Sequence, residues 1–111
     1  MKIDSAKFDI LGFIIDKYHK AMEQKKIQEK VNDIVAEVLG MMTDEQRDRL
    51  KPEAKLADDL GCDSLDGVDI TIAIEGEFDI KVPDEIFYNV AGFTLAEVYE
   101  ITEKLIKGKN V

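Results

Sequence analysis

From Ile27 to Leu39 the apolar positions are Ile27, Val31, Ile34, Val35, Val38 and Leu39. These spacings trace one face of a helix, and Gly40 follows as a stop. Residues 41–62 alternate charge with few apolar anchors and contain Pro52 and Gly61. They predict a long loop with at most a short helical turn at Asp44–Leu50. The next helix starts at Ser64, with Asp63 as its N-cap and Asp66 in the first turn, where a carboxylate suits the helix dipole. It runs to about Phe78. Val82-Pro83-Asp84-Glu85 then places a proline at the first helical position of a short helix ending near Tyr88. Ala91-Gly92 breaks the chain again. Thr94 caps a last helix with Leu95, Val98, Ile101, Leu105 and Ile106 on its apolar side. The expected fold is all-α: a four-helix bundle with a long first loop, a short third helix and an additional N-terminal helix.

That additional helix rests on Phe8, Leu11, Ile15, Tyr18 and Met22, which recur at alternating intervals of three and four residues. The register then slips. Met22 to Ile27 is five residues, about 500° of helical rotation, so the stripe jumps by about 140°. A continuous helix from 5 to 39 would point its two apolar stripes in different directions, so either the chain bends between His19 and Lys26, or the front stripe is buried against something the core helix does not touch. Residues 1–23 therefore divide off as an N-terminal extension, and 24–111 as the main domain. The extension reads as a helix packed on the domain, as a docking or dimer surface, or as a frayed end.

The helix from Asp63 to Phe78 carries two apolar stripes. Ile70, Ile74 and Phe78, with Ala73 beside them, make a core stripe. Leu65, Val68 and Ile72 make a second, flanked by Asp66, Asp69 and Glu75. A surface helix of a small bundle needs only one. Apolar anchors rimmed by one sign of charge describe a transient docking face. The alternative is that both stripes are buried in a crowded core.

Charge sharpens this picture. The chain has 111 residues, 24 acids and 15 bases, for a net charge of −9. Residues 1–43 and 86–111 are each balanced, so the whole excess lies in 44–85. Within 58–79 there are eight acids and no Lys or Arg. Such a run steers basic partners in a salt-dependent way, or is simply a solvated acidic face. A nucleic-acid binder would need a basic footprint, which is missing. No apolar run approaches the ~20 residues of a membrane span. The N-terminus mixes acids into its apolar stretch and makes a poor signal peptide, so the expected location is cytoplasmic.

Enzymatic readings fare badly. The one Cys excludes an internal disulfide framework and a multi-cysteine metal site. His19 is the only histidine, and a nucleophilic Ser64 would need a base and an oxyanion site beside it. With Gly67 at the sixth position of a calcium loop, Cys62 and Ala73 would fall where oxygen ligands are required. The acids offer no apolar cleft to raise one carboxyl above another. Cys62 sits near a helix N-terminus, which favours a thiolate, but among carboxylates, which oppose it. The expectation is an inert small residue, no metal and no catalysis. Ser64 remains as an N-capping residue with a purely structural role, or as a hydroxyl that another enzyme modifies.

Leu60 to Asp69 (LGCDSLDGVD), then Ile70–Phe78 (ITIAIEGEF) and Val82–Glu85 (VPDE), resembles the acyl carrier protein family. Its pattern is Leu-Gly-x-Asp-Ser-Leu-Asp, an acidic amphipathic helix ending in Glu-x-Glu-Phe, and an Ile/Val-Pro-Asp-Glu turn. An Asp-Ser-Leu tripeptide alone says little; the combination, after a long loop, is specific. The likeness covers about residues 24 to 106. It implies an acyl-carrier-like bundle with a 4′-phosphopantetheine arm on Ser64, joined through a phosphodiester and installed from coenzyme A by a phosphopantetheinyl transferase. The arm's thiol then holds an acyl group as a thioester. The resemblance also implies that Asp63, Leu65, Asp66, Val68, Asp69, Ile72 and Glu75 face partner enzymes. Core residues Ile34, Val38, Leu60, Ile70, Ile74, Val90 and Leu95 are candidates to line a site for the acyl chain.

Departures from the family pattern point to a specialised member. Gly76 stands where a third acid is usual, and Gly67 replaces a commonly larger residue. Ile86–Phe93 (IFYNVAGF) is more apolar than the usual Glu-rich third helix, and residues 1–23 are additional. The expected role is carriage of acyl groups in fatty acid or related lipid or polyketide biosynthesis. Its partners would be the transferase and the acyl-transferring and chain-elongating enzymes with basic docking surfaces. A monomer is expected, with docking through the extension as a further option. The alternatives are an aminoacyl or peptidyl carrier and an interaction domain of the same fold that carries nothing. Weak, non-specific Mg²⁺ or Ca²⁺ binding to the acidic run relieves self-repulsion and stabilises the fold by mass action. Millimolar Mg²⁺ is expected to raise the melting temperature in a thermal melt; an unchanged midpoint would contradict it.

Overall fold

In the computed structural model the backbone is described from Ser5 to Lys109 and the side chains from Lys20 to Lys109. Six α-helices follow in order: α1 (Ser5–Leu39), α2 (Asp44–Arg47), α3 (Leu56–Leu60), α4 (Ser64–Phe78), α5 (Asp84–Phe87) and α6 (Leu95–Lys109). A 3₁₀ turn at Val90–Gly92 lies between the last two. The described residues contain no β-strand. One antiparallel bridge, Lys55 with Thr94, ties the segment before α3 to the segment before α6. There Leu56 N donates to Phe93 O and Leu95 N to Ala54 O, each at 3.0 Å. The long, acid-rich first connection is thereby pinned to the last helix.

In α1, α4 and α6 the core side chains are those the apolar periodicity picked out, and α3 and the 3₁₀ turn add to them. Val31 and Val35 of α1, Leu56 and Leu60 of α3, Ile70 and Ile74 of α4, Val90 of the turn, and Leu95 and Val98 of α6 form one buried cluster. Ile34 and Val38 pack against it, half-buried. Each such side chain contributes about 1.5–3 kcal/mol when taken from water. The polar groups inside are satisfied locally. Thr71 Oγ1 donates to Gly67 O and Thr102 Oγ1 to Val98 O, both at 2.8 Å, each bonding back one turn within its own helix. Tyr99 donates its hydroxyl to Asn32 Oδ1, joining α6 to α1. Ion pairs seal the seams: Lys30–Glu77 at 2.8 Å between α1 and α4, and Lys109–Asp79 at 3.1 Å between α6 and the end of α4. Glu103 accepts from Gln24 Nε2 at 3.1 Å and pairs with Lys107 at 2.8 Å. The Lys107 hydrogen bond first, and then that of Gln24, hold its carboxyl below the usual range.

Three boundaries differ from the sequence expectations. First, α1 runs without interruption from Ser5 to Leu39, so no helix break falls between His19 and Lys26, and the helix continues across the 23/24 division. Met22, the last residue of the front stripe, is exposed, while Ile27 packs against the core. The side chains of Phe8, Leu11, Ile15, Tyr18 and His19 lie outside the described residues. Second, the expected loop 41–62 contains α3. Only Leu56 and Leu60 of this five-residue helix are buried, too short a pattern for periodicity to register. It ends at Gly61, which takes the left-handed conformation at φ 72°. Third, Pro83 is the N-cap of α5 rather than its first residue, and that helix ends at Phe87 rather than Tyr88.

The two glycines of α4 have different standing. Gly67 is buried, and a Cβ there would meet Ala91, whereas a Cβ at Gly76 would meet nothing within 4 Å. Gly76 therefore weakens α4 without a packing reason. Gly76→Ala is expected to stabilise the fold by about 1 kcal/mol, measured as a rise in the urea unfolding midpoint at unchanged slope.

Candidate functional site

The start of α4 is set by a reciprocal cap. Asp66 N donates to Asp63 Oδ1 at 2.7 Å, and Asp63 N donates to Asp66 Oδ2 at 3.1 Å. Two of the donors at the helix entrance are thus satisfied by these two carboxylates. Behind the cap, Leu60 and Cys62 are buried, and Cys62 N donates to Leu56 O at 2.8 Å. The backbone leading into Ser64 is therefore anchored to the core through α3. Ser64 is the first residue of α4 and is exposed. Because Asp63 and Asp66 perform the capping, the Ser64 hydroxyl has no intramolecular partner among the described residues. The N–H groups of Ser64 and Leu65 lie in the first turn, ahead of any intrahelical acceptor.

Of the residues that the sequence assigned to a partner face, the structure exposes Asp63, Leu65, Asp69 and Ile72 and half-buries Asp66, Val68 and Glu75. Leu65 is 74% and Ile72 54% exposed. The second apolar stripe of α4 is thus turned outward, while Ile70 and Ile74 on the other side are buried. The two acids of the cap and of the helix end are otherwise engaged. Asp66 is half of the cap, and Glu75 Oε2 accepts from Val82 N at 2.8 Å, holding the α4–α5 connection. Asp69 is the exposed carboxylate of this stripe that carries no such duty. Sequence reasoning passed over Tyr88. It is largely exposed and stacked obliquely against Phe87, with ring centroids 5.2 Å apart. Its signal was the unusually apolar run Ile86–Phe93.

Among the described residues no group of three or more His, Cys, Asp or Glu is placed to hold a metal ion. Among the described residues no helix is long and apolar enough to cross a membrane. Cys62, two residues before Ser64, is buried, with its thiol directed at Asp63 O at 3.4 Å. Burial first, then the Asp66 and Asp63 carboxylates, push the thiol up to about 11.

An exposed, unengaged hydroxyl at a rigidly capped helix start fits a covalently attached arm: it is reachable from outside and fixed from below. Residues 29–100 match the family described as "Phosphopantetheine attachment site". The chain belongs to this family. It is 45% identical over 64 residues to the "Acyl carrier protein" of Chlorobium phaeobacteroides (strain DSM 266 / SMG 266 / 2430), covering 58% of this chain and 77% of that protein. The proteins of the same name from Chlorobium phaeovibrioides and Chlorobium luteolum are each 44% identical over 64 residues, with the same coverage. The prosthetic group of this family is 4′-phosphopantetheine, held covalently.

A thiol held up to about 11 is almost wholly protonated at neutral pH, and the thiolate is the nucleophile. Cys62 of the native protein is therefore expected to resist iodoacetamide at neutral pH and to react at the rate of a free cysteine once unfolded in urea. Equal rates in the two states would contradict this.

Proposed function

We propose that this chain is an acyl carrier whose phosphopantetheine arm is borne by Ser64. The observation that supports this most directly is the division of labour at the start of α4. Asp63 and Asp66 do the capping, and Ser64, between them, keeps its hydroxyl free and exposed. The arm supplies a terminal thiol on which cargo rides as a thioester. The chain's own residues present the attachment point, hold it still and offer a docking face; the chain is a carrier rather than a catalyst. At the entrance of α4 the free N–H groups and the positive end of the helix dipole favour the phosphodiester anion. The carboxylates of Asp63 and Asp66 oppose it, which orients the phosphate outward to water.

Docking rests on Leu65 and Ile72 as apolar anchors, with Asp69 providing charge for a basic partner surface. The acid-rich α4 favours acyl over aminoacyl cargo, in fatty acid or related lipid or polyketide assembly in the cytoplasm. Residues 24–111 form the carrier domain. Residues 1–23 are the N-terminal extension, in which α1 runs beyond the domain from Ser5, and they offer a second docking surface.

Incubation with coenzyme A, Mg²⁺ and a phosphopantetheinyl transferase, followed by intact mass spectrometry, tests the attachment. A gain of one phosphopantetheine is expected, abolished in Ser64→Ala. No gain, or a gain that survives Ser64→Ala, would overturn the assignment. On the docking face, Asp69→Lys combined with Ile72→Ala is expected to lower loading kcat/KM by at least about tenfold. Both side chains are exposed, so stability should shift by no more than about 0.5 kcal/mol per substitution.

A further inference from the structure

α1 is one helix of 35 residues, about 52 Å long, in a molecule whose longest dimension is 62 Å. It carries two apolar stripes. Ile27, Val31, Ile34, Val35 and Val38 belong to the core or pack against it. Phe8, Leu11, Ile15, Tyr18 and Met22 make the front stripe. Because the helix is continuous, its register fixes their relative direction. At about 100° per residue the centres of the two stripes lie about 160° apart. The front stripe therefore falls on the side of α1 away from the bundle. Met22, its last member, is 59% exposed.

α6 runs antiparallel to α1: Tyr99 bonds to Asn32, and Glu103 to Gln24. Lys107 comes level with Lys20, across a cavity of about 80 Å³ that both line. Lys109, the last described residue of α6, turns to Asp79 of the α4 end. Beyond Lys20 the helix continues to Ser5, about 22 Å further.

This stripe and its flanks suit a second copy of the same chain. Alternating intervals of three and four are the a and d positions of a coiled-coil seam. With Phe8 at a, the flanking e and g positions are Lys7, Gly12, Ile14, His19 and Ala21, of which only Lys7 is charged at pH 7. Asp9, Asp16, Lys17 and Lys20 fall on outer positions. Residues 1–23 hold four acids and four lysines, so this segment is neutral and the net charge of −9 lies wholly in 24–111. Two copies meet here without like-charge repulsion. An anionic membrane is a poorer match, because Asp9 and Asp16 stand on the polar side, where membrane-surface helices are rich in Lys and Arg.

We propose that two copies of this chain pair antiparallel along the front stripe, Ile15 against the partner's Ile15 and Phe8 beside the partner's Met22. Such a two-fold contact is self-complementary and closed. Charge sets the direction. A parallel pair would place two acidic domains side by side. An antiparallel pair puts them at opposite ends of a shared segment about 27 Å long, well beyond the screening length of about 8 Å at physiological salt. Phe78, at the other end of α4 from Ser64, lines a cavity of about 260 Å³ with Lys26 and Ile27 of α1. Ser64 thus lies at the end of the domain away from the stripe, and the dimer presents one Ser64 at each outer end. The inference rests on the reading of residues 1–23 as a docking surface, does not require attachment at Ser64, and replaces the monomer expected from the sequence.

Sedimentation equilibrium of the full chain tests it. The mass should approach twice 12.5 kDa as concentration rises. Leu11→Asp combined with Ile15→Asp should give the mass of one copy throughout, and Lys17→Asp, on an outer position, should keep the native curve. Amide protection at Val31 and Val35 should persist in every variant, showing that the domain stays folded. On mild oxidation of an equimolar mixture, the Phe8→Cys and Met22→Cys chains should form the mixed disulfide, with the buried Cys62 left out. One-copy mass at every concentration, or a doubled mass that survives the Leu11→Asp, Ile15→Asp pair, overturns the dimer; disulfides only between like chains overturn the antiparallel pairing. Flotation with phosphatidylglycerol vesicles tells the two readings apart. A one-copy chain that binds the vesicles through the stripe overturns the dimer and keeps the docking surface, and a one-copy chain that stays unbound overturns both.

Discussion

Burial of Ile70 and Ile74 fixes the rotation of α4, and the rest of the carrier face follows from that rotation. The two side chains are one turn apart and pack into the cluster shared with α1, α3 and α6. A helix that commits this stripe to the core has no freedom left for Leu65 and Ile72, which lie on another side and are carried into solvent. The cost of leaving them there is small beside the burial of the core stripe, about 1.5–3 kcal/mol for each large apolar side chain. The exposed anchors are therefore a consequence of core packing, and they persist without a partner present to hold them.

Ser64 and Gly67 are neighbours one turn apart on α4, and they differ in what lies over them. Ser64 faces water with its hydroxyl unengaged, and Gly67 faces the 3₁₀ turn. The sequence reaches this arrangement economically. Asp63 and Asp66 supply the cap, so Ser64 is relieved of the structural duty that serine most often has at a helix start. Their charges also suppress the neighbouring thiol: Cys62 is two residues away from Ser64, and burial together with these carboxylates keeps it protonated.

Connections that look loose in one dimension are tied in three. The α1–α4 connection is rich in charge, yet the bonds between Leu56 and Phe93 and between Leu95 and Ala54 fasten it to the entrance of α6. Leu60 and Cys62 then hand the chain to Asp63 from a buried position. Glu75 similarly leaves the acidic face to hold Val82 N, and Lys30 and Lys109 close the far end of α4 through Glu77 and Asp79. The acidic character of α4 is thus divided between residues that maintain the fold and Asp69, which is exposed.

Much of this was legible in the linear chain, because periodicity and capping are local. Apolar spacing located the core stretch of α1 and both stripes of α4. Asp63, Thr94 and Gly40 marked ends through their own side chains or backbone freedom, and the Asp-Ser-Leu-Asp context singled out Ser64. What escaped depends on neighbours distant in sequence. The five residues of α3 bury only Leu56 and Leu60, too few to form a pattern, and that helix exists because the segment is bonded to Phe93 and Ala54. The continuity of α1 through its change of stripe is a property of the helix backbone, which needs no apolar register to persist. Gly67 and Gly76 are indistinguishable as letters. The close approach of Ala91, twenty-four residues further on, makes one a contact and leaves the other a vacancy, since steric fit is settled only when α4 and the 3₁₀ turn are brought together.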